Sequence, residues 1–191
     1  PRGRIVMLTG ISSHHLNNSR DAAVYLPPGY DSSDHRYPVV YVQDGQNLFD
    51  PQTAFNGVDW QLGQTADRLI AAGEMQPAIV VGIYNPPNRM EEYTSQADLY
   101  GRFLAEELKP QIDARFRTRA SAAQTALLGS SLGGLVSAYL AFSRPDVFSR
   151  AAGMSISLPW GGGAFLRHAA LAPLPQPLPK LWLDRGELEK L

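Results

Sequence analysis

The pattern Gly129-Ser130-Ser131-Leu132-Gly133 constrains this chain more than any other stretch, because of what flanks it. An apolar run at residues 125–128 leads in, and a helical repeat of apolar positions opens at Leu132. Glycines on both sides of a serine suit a sharp strand-to-helix turn, since side chains at Gly129 or Gly133 would collide where the two elements meet. Such a turn projects the Ser131 hydroxyl above a sheet and aims the following N–H groups at an incoming oxyanion. The triplet alone arises readily by composition, so it is the setting that predicts a nucleophile at Ser131.

Bulk properties narrow the rest. A chain of 191 residues, 44% hydrophobic and 18% charged, predicts a single domain over residues 1–191 around one core. The net charge is −1 and no Lys/Arg run or basic helix face occurs, which predicts neither a nucleic-acid nor a membrane partner. The absence of cysteine removes disulfides, thiolate metal sites and a cysteine nucleophile, leaving serine as the covalent catalyst. No apolar run approaches the ~20 residues of a membrane helix, so a soluble chain is expected, cytoplasmic by default. It begins at Pro1 rather than Met, which is also compatible with a secreted protein that has lost a leader. Asp31, Asp34 and His35 sit in a turn after Pro28 and Gly29 without convergent spacing, and neither metal nor cofactor is expected.

Hydrophobic periodicity gives the order of elements. Residues 4–8 and 22–26 read as strands joined by a polar loop at 12–20. Residues 37–43 and 78–83 are β-branched, apolar runs of the kind buried on both faces, and Leu62, Ala66, Leu69 and Ile70 between them keep helical spacing, which makes a β-α-β unit. A helix over 99–114 carries Phe103, Leu104, Leu108 and Ile112 inward, with a kink expected at Pro110. After the strand at 125–128, Leu132, Leu135, Val136, Tyr139 and Leu140 form one stripe, and the helix stops near Pro145. Strands at 151–156 and 180–184 follow, with a short helix near 165–170 between them. Trp60 and Trp182 read as core. The alternation predicts an α/β protein with a mostly parallel sheet, helices on both faces, and a site outside the carboxyl ends of the strands.

Several blocks carry a resemblance. V-Y-L-P-P-G-Y at 24–30, P-V-V-Y-V-Q-D-G at 38–45, G-I-Y-N and R-M-E-E-Y-T within 82–94, and E-E-L-K-P-Q-I-D-A-R-F-R-T at 106–118 lead to G-S-S-L-G-G. In this order they resemble the esterase family of α/β-hydrolases that groups enterochelin esterases, feruloyl and acetyl-xylan esterases, S-formylglutathione hydrolase and the mycolyltransferases. The resemblance implies the α/β-hydrolase fold, here lacking its last strand and helix. It implies that Ser131 is the nucleophile and that the backbone N–H groups of Leu132 and Gln46 hold the oxyanion. It places the triad acid three residues after Gly186, at Glu189, with Glu187 the close competitor and Asp184 ending the strand. The reaction implied is serine carboxylesterase chemistry on a small-molecule ester with a short acyl chain, through an acyl-enzyme and without a cofactor; transfer to an alcohol uses the same machinery.

The same resemblance places the catalytic histidine some tens of residues beyond the acid, past Leu191. His14, His15 and His35 read as solvated polar residues, and His168 is the candidate base if the chain is complete. Otherwise the histidine belongs to missing chain or to a partner that swaps in the last strand, with a homodimer through the exposed seventh strand as the corollary. The rival reading is a catalytically inactive binding module of the same fold. Asn85, Arg89, Glu92 and Tyr93 read as an internal brace ahead of a substrate contact by Arg89, while Trp160 reads equally as pocket wall or as a plug at the end of the sheet.

Overall fold

The computed structural model describes residues 2–186. Seven strands form one sheet in the order β1-β2-β4-β3-β5-β6-β7. β1 (Arg4–Ser13) and β2 (Asn18–Leu26) make a hairpin that joins β4 (Ile79–Ile83) antiparallel. β3 (Val39–Gln43), β5 (Thr125–Ser130), β6 (Arg150–Met154) and β7 (Lys180–Leu183) continue from β4 in parallel. The mostly parallel sheet with flanking helices is the α/β-hydrolase arrangement expected from the sequence.

The hairpin is longer than the polar stretch 12–20 suggested: only residues 14–17 turn, with Asn17 at φ 51°. Polar strand residues are accommodated because distant elements supply partners. Ser13 Oγ donates to Glu107 (2.7 Å), and Arg20 forks onto Glu92 (2.7 and 2.9 Å) while its guanidinium lies 4.6 Å from the Phe103 ring centroid. Both side chains of the Arg20–Glu92 pair are sealed, at 2% and 0% exposure, so the pair is held by geometry that repays desolvation only when complete.

One face of the sheet carries Val24, Val39, Tyr41, Val81 and Leu127 against the helices that follow β4. These are α2 (Arg89–Glu92), α3 (Ala97–Arg102), α4 (Lys109–Arg115) and α5 (Leu132–Ser143), while α1 (Leu62–Ala71) packs Ala66 on the other face against Val42 and Val80. The helix expected over 99–114 starts at Ala97 and passes through a π turn, Phe103–Leu108, in which the Lys109 N–H reaches the Leu104 carbonyl. Pro110 has no N–H to donate, and the wider turn ahead of it absorbs the missing bond. α5 buries more than its predicted stripe: Gly133, Gly134, Ser137, Ala138 and Ala141 are buried too, because the helix is wedged between the sheet and its neighbours. The last helix among the described residues, α6 (Trp160–Leu171), opens with Gly161, Gly162 and Gly163 all left-handed, so its right-handed part follows Gly163 and covers the stretch expected near 165–170.

Trp182 is a correction. It lies on β7 at the sheet edge and is 58% exposed, beside Leu181 and Leu183, which are also exposed. On this face, where α1 packs through Ala66 against Val42 and Val80, Val40, Leu128, Ala152 and Trp182 line an open cleft of about 290 Å³. Among the described residues no helix is long and apolar enough to cross a membrane.

Replacing Glu92 by Gln strands the sealed Arg20 charge, and we expect a loss of about 3 kcal/mol in urea unfolding. The exposed neighbour Glu91→Gln should stay within about 0.5 kcal/mol; equal effects would refute the role assigned to the pair.

Candidate active site

The turn between β5 and α5 is built backbone on backbone. A Cβ on Gly129 would lie 2.3 Å from the Gly133 carbonyl carbon, and one on Gly134 would lie 3.0 Å from the Gly153 Cα on β6. Ser131, between them, sits at φ 57° and ψ −122°, a strained backbone conformation that surrounding contacts must hold. Its N–H donates to the Met154 carbonyl (2.9 Å), and its own carbonyl accepts from Leu135 (3.1 Å) and Ser157 (3.3 Å). The side chain is exposed, and Ser131 Oγ lies 2.9 Å from Ser157 Oγ.

The Leu132 N–H opens α5 and has no carbonyl four residues back within the helix, so it is a free donor at the positive end of a helix of 12 residues. The Gln46 turn meets it from β3. β3 and β5 pair in register through Val42 and Leu128, which brings their carboxyl ends to one level. Asp44, left-handed at φ 58°, then turns the chain into a short 3₁₀ segment, Gly45–Asn47. This turn is also clamped by backbone proximity, since a Cβ on Gly45 would sit 2.1 Å from the Gly82 carbonyl carbon. Asp44 Oδ2 lies 3.1 Å from where a Gly133 side chain would begin, so the two turns abut. Gln46 commits its side-chain oxygen to the Asn85 N–H (3.2 Å) and its carbonyl to Thr53 Oγ1 (2.7 Å), and the peptide that carries its N–H is held through the Gly45 carbonyl, which accepts from the Leu48 N–H (3.2 Å).

Beneath this turn is a buried polar brace. Arg89 donates through Nε and Nη2 to the two Asp44 carboxylate oxygens (2.6 and 2.7 Å), and Asn85 Nδ2 adds a third bond at 2.6 Å. The hydrogen bond to Asp44 raises the Arg89 pKa further and keeps the fork charged. Tyr93 OH accepts from the Asp44 N–H at 3.3 Å, and burial pushes this phenol well above its ordinary pKa, so it stays neutral. Gln43 donates to Ser137 Oγ on α5 and accepts from Tyr100 OH on α3. Arg89 thus serves as a brace for Asp44, and it is not among the residues lining the adjacent cavity.

That cavity, about 480 Å³, is bounded by Tyr93, Leu135, Tyr139, Trp160, Phe165 and His168, with Asp98 on its wall. Ser131 does not line it; Leu135, one helical turn on, and Trp160, whose N–H donates to the Ser157 carbonyl (3.1 Å), connect the two. Tyr139 OH donates to Asp98 (2.6 Å), and burial followed by that hydrogen bond pushes its pKa up to about 12. Trp160 is accordingly a wall of the cavity, 44% exposed, rather than a plug of the sheet.

His168 does not reach Ser131. Its ring packs on Tyr139 (5.7 Å) and Phe142 (6.1 Å). Tyr139 is eight residues along α5 from Ser131, and among the described residues the hydrogen-bond partner of the Ser131 hydroxyl is Ser157, not His168. His15 pairs with Glu106 on the far side of the molecule (2.9 Å). Glu189 and its competitor Glu187 lie outside the described residues. Asp184, directly after β7, accepts from the Ser155 N–H (2.7 Å) and holds the turn after β6. Asp31, weighed as a metal ligand and set aside, forks with Arg4 (2.7 and 2.9 Å). The sequence reading missed Ser157: one polar residue in a loop after a strand carries no local signal, and only the fold brings it to Ser131.

The structure thus sets an exposed serine on a strained strand-to-helix turn, facing a second clamped turn beside a ring-lined cavity, on an α/β-hydrolase fold. Residues 13–190 match the family described as Putative esterase, and the chain belongs to that family. A curated relative, an endo-1,4-beta-xylanase/feruloyl esterase of Xylanibacter ruminicola, is 33% identical over 145 residues, which is 71% of this chain and 19% of that protein. Among solved structures, an IroE-like serine hydrolase from Shewanella oneidensis aligns with TM-score 0.68 and 25% identity, over 86% of this chain and 54% of the other. The enterobactin esterase of Shigella flexneri, crystallised with 2,3-dihydroxy-N-benzoyl-serine, shares the fold at TM-score 0.76 and 21% identity, over 95% of this chain and 45% of its own. The chain therefore spans less than two thirds of the length of these proteins.

Asp44→Asn removes half of the Arg89 fork. Because Arg89 keeps some solvent contact, the expected cost is about 2 kcal/mol in chemical unfolding, below the roughly 3–5 kcal/mol of a sealed pair. An unchanged midpoint would show that the brace does not hold the turn.

Proposed function

We propose that this protein hydrolyses carboxylic esters through an acyl-enzyme on Ser131. The observation that carries the reading is the pairing of the exposed, strained Ser131 with the Leu132 and Gln46 turns at the carboxyl ends of adjacent strands. Ser131 Oγ attacks the ester carbonyl, the two main-chain N–H groups receive the oxyanion, and each donor lowers the barrier by about 3 kcal/mol. An imidazole from outside the described residues takes the Ser131 proton and returns it to the leaving alcohol, with Glu189 fixing its tautomer. Water then completes the hydrolysis.

The acyl group is compact. The cavity of about 480 Å³ falls in the roughly 300–1,000 Å³ range of small-molecule sites and is closed by rings on three elements, a fit for an aromatic or short acyl chain. A feruloyl esterase among the relatives and an enterobactin esterase among the structural neighbours accord with an aromatic acyl group.

A fluorophosphonate probe should add one adduct, mapped to Ser131 by intact mass and peptide analysis, and Ser131→Ala should abolish it along with ester turnover. Trp160→Ala should lower kcat/KM for aryl-acyl esters by about ten-fold and for acetyl esters by less. A wild-type protein that takes no label would instead support the binding-module reading.

A further inference from the structure

We infer that Ser157 is a second catalytic hydroxyl, which donates a hydrogen bond to the Ser131 oxygen as the acyl-enzyme breaks down. The inference rests on the proposed role of Ser131 as nucleophile. Its geometric basis is the 2.9 Å between the two hydroxyl oxygens and the way Ser157 is held. The turn after β6 is fixed by main-chain N–H groups and by the Asp184 carboxylate, without the Ser157 hydroxyl. Ser155 N–H donates to Asp184 Oδ1 (2.7 Å), Ile156 N–H to the Asp184 carbonyl (3.3 Å), and Ser157 N–H to the Ser131 carbonyl (3.3 Å). The Ser157 carbonyl takes the Trp160 N–H (3.1 Å). The turn therefore does not need the Ser157 hydroxyl for its shape. That hydroxyl is left with one protein partner among the described residues, the reacting oxygen.

A contact accelerates a step only to the extent that it strengthens between the ground state and the transition state. In the free enzyme Ser131 gives its proton to the base while its oxygen accepts from Ser157. This bond already exists before acylation and changes little during it. In the acyl-enzyme the same atom is an ester oxygen, a poor acceptor. Water then attacks the acyl carbon and the base takes a water proton. The bond between the acyl carbon and Ser131 Oγ breaks, its electron pair returns to Oγ, and the base returns a proton there. As that charge develops, the Ser157 hydrogen bond strengthens, while its hydrogen stays on Ser157 throughout. Deacylation is the half-reaction that gains.

The test uses the full-length protein with p-nitrophenyl acetate, comparing wild type, Ser157→Ala and Ser157→Thr for burst amplitude, kcat, KM and the rate of fluorophosphonate labelling. Ser157→Ala should lower kcat and KM together by about ten-fold, leave kcat/KM and the labelling rate within about two-fold, and enlarge the burst. Ser157→Thr, which restores a hydroxyl, should recover most of kcat. A parallel fall in kcat/KM and labelling would mean that Ser157 only supports the fold, and an unchanged kcat would mean that its hydroxyl is idle; either result overturns the inference. Absence of label on wild-type Ser131 would overturn the esterase reading, and this inference with it.

Discussion

The site depends on main chain lying against main chain where β5, α5 and β6 meet. A methyl group on Gly129 would collide with the Gly133 main chain, and one on Gly134 would press on Gly153 Cα at 3.0 Å. That approach turns the chain sharply enough to expose the Ser131 hydroxyl and to open α5 at the next residue. It also brings the end of β6 close enough for the Met154 carbonyl to receive the Ser131 N–H. The strain at Ser131 is held by these contacts, as expected when surrounding structure over-determines a sparsely populated conformation.

A second layer fixes the facing turn. Asp44 accepts from Arg89 and Asn85, Tyr93 takes the Asp44 N–H, and Gln43 links α3 to α5 through Tyr100 and Ser137. These groups are charged or polar and mostly buried, so each partner is needed by the other: a half-satisfied network would cost more than an apolar one. In a hydrolase site such a network suits the task, because donors that await an oxyanion work best when they need not reorganise.

What the sequence disclosed follows the range over which each signal acts. β3, β4, β5, α1 and the Ser131 turn were legible because runs of Val and Ile, helical spacing and paired glycines act within a few residues. The long hairpin was not, since Ser13 and Arg20 are satisfied by Glu107 and Glu92, 94 and 72 residues away. Trp182 reads as core by composition but lies exposed on the edge strand β7. His168 lies in the expected region, yet its ring packs on Tyr139 and Phe142 and makes no hydrogen bond to Ser131. The Gln46 turn was placed by resemblance, and Ser157 by neither route, because its proximity to Ser131 exists only once β5 and β6 pair.

The two walls of the cavity are anchored very differently. Tyr93 directly follows α2, a helix of four residues whose Arg89 grips Asp44 and whose Glu92 grips Arg20, so that wall is tied to the Asp44 turn and to the hairpin at once. Trp160, Phe165 and His168 belong to α6, which has no buried residue and leans on α5 through ring contacts with Tyr139 and Phe142. Divergence toward new substrates therefore has an inexpensive side and a prohibitive one. Substitutions along the α6 wall would disturb little else, while a change at the Tyr93 wall would also disturb the Asp44 turn and the hairpin.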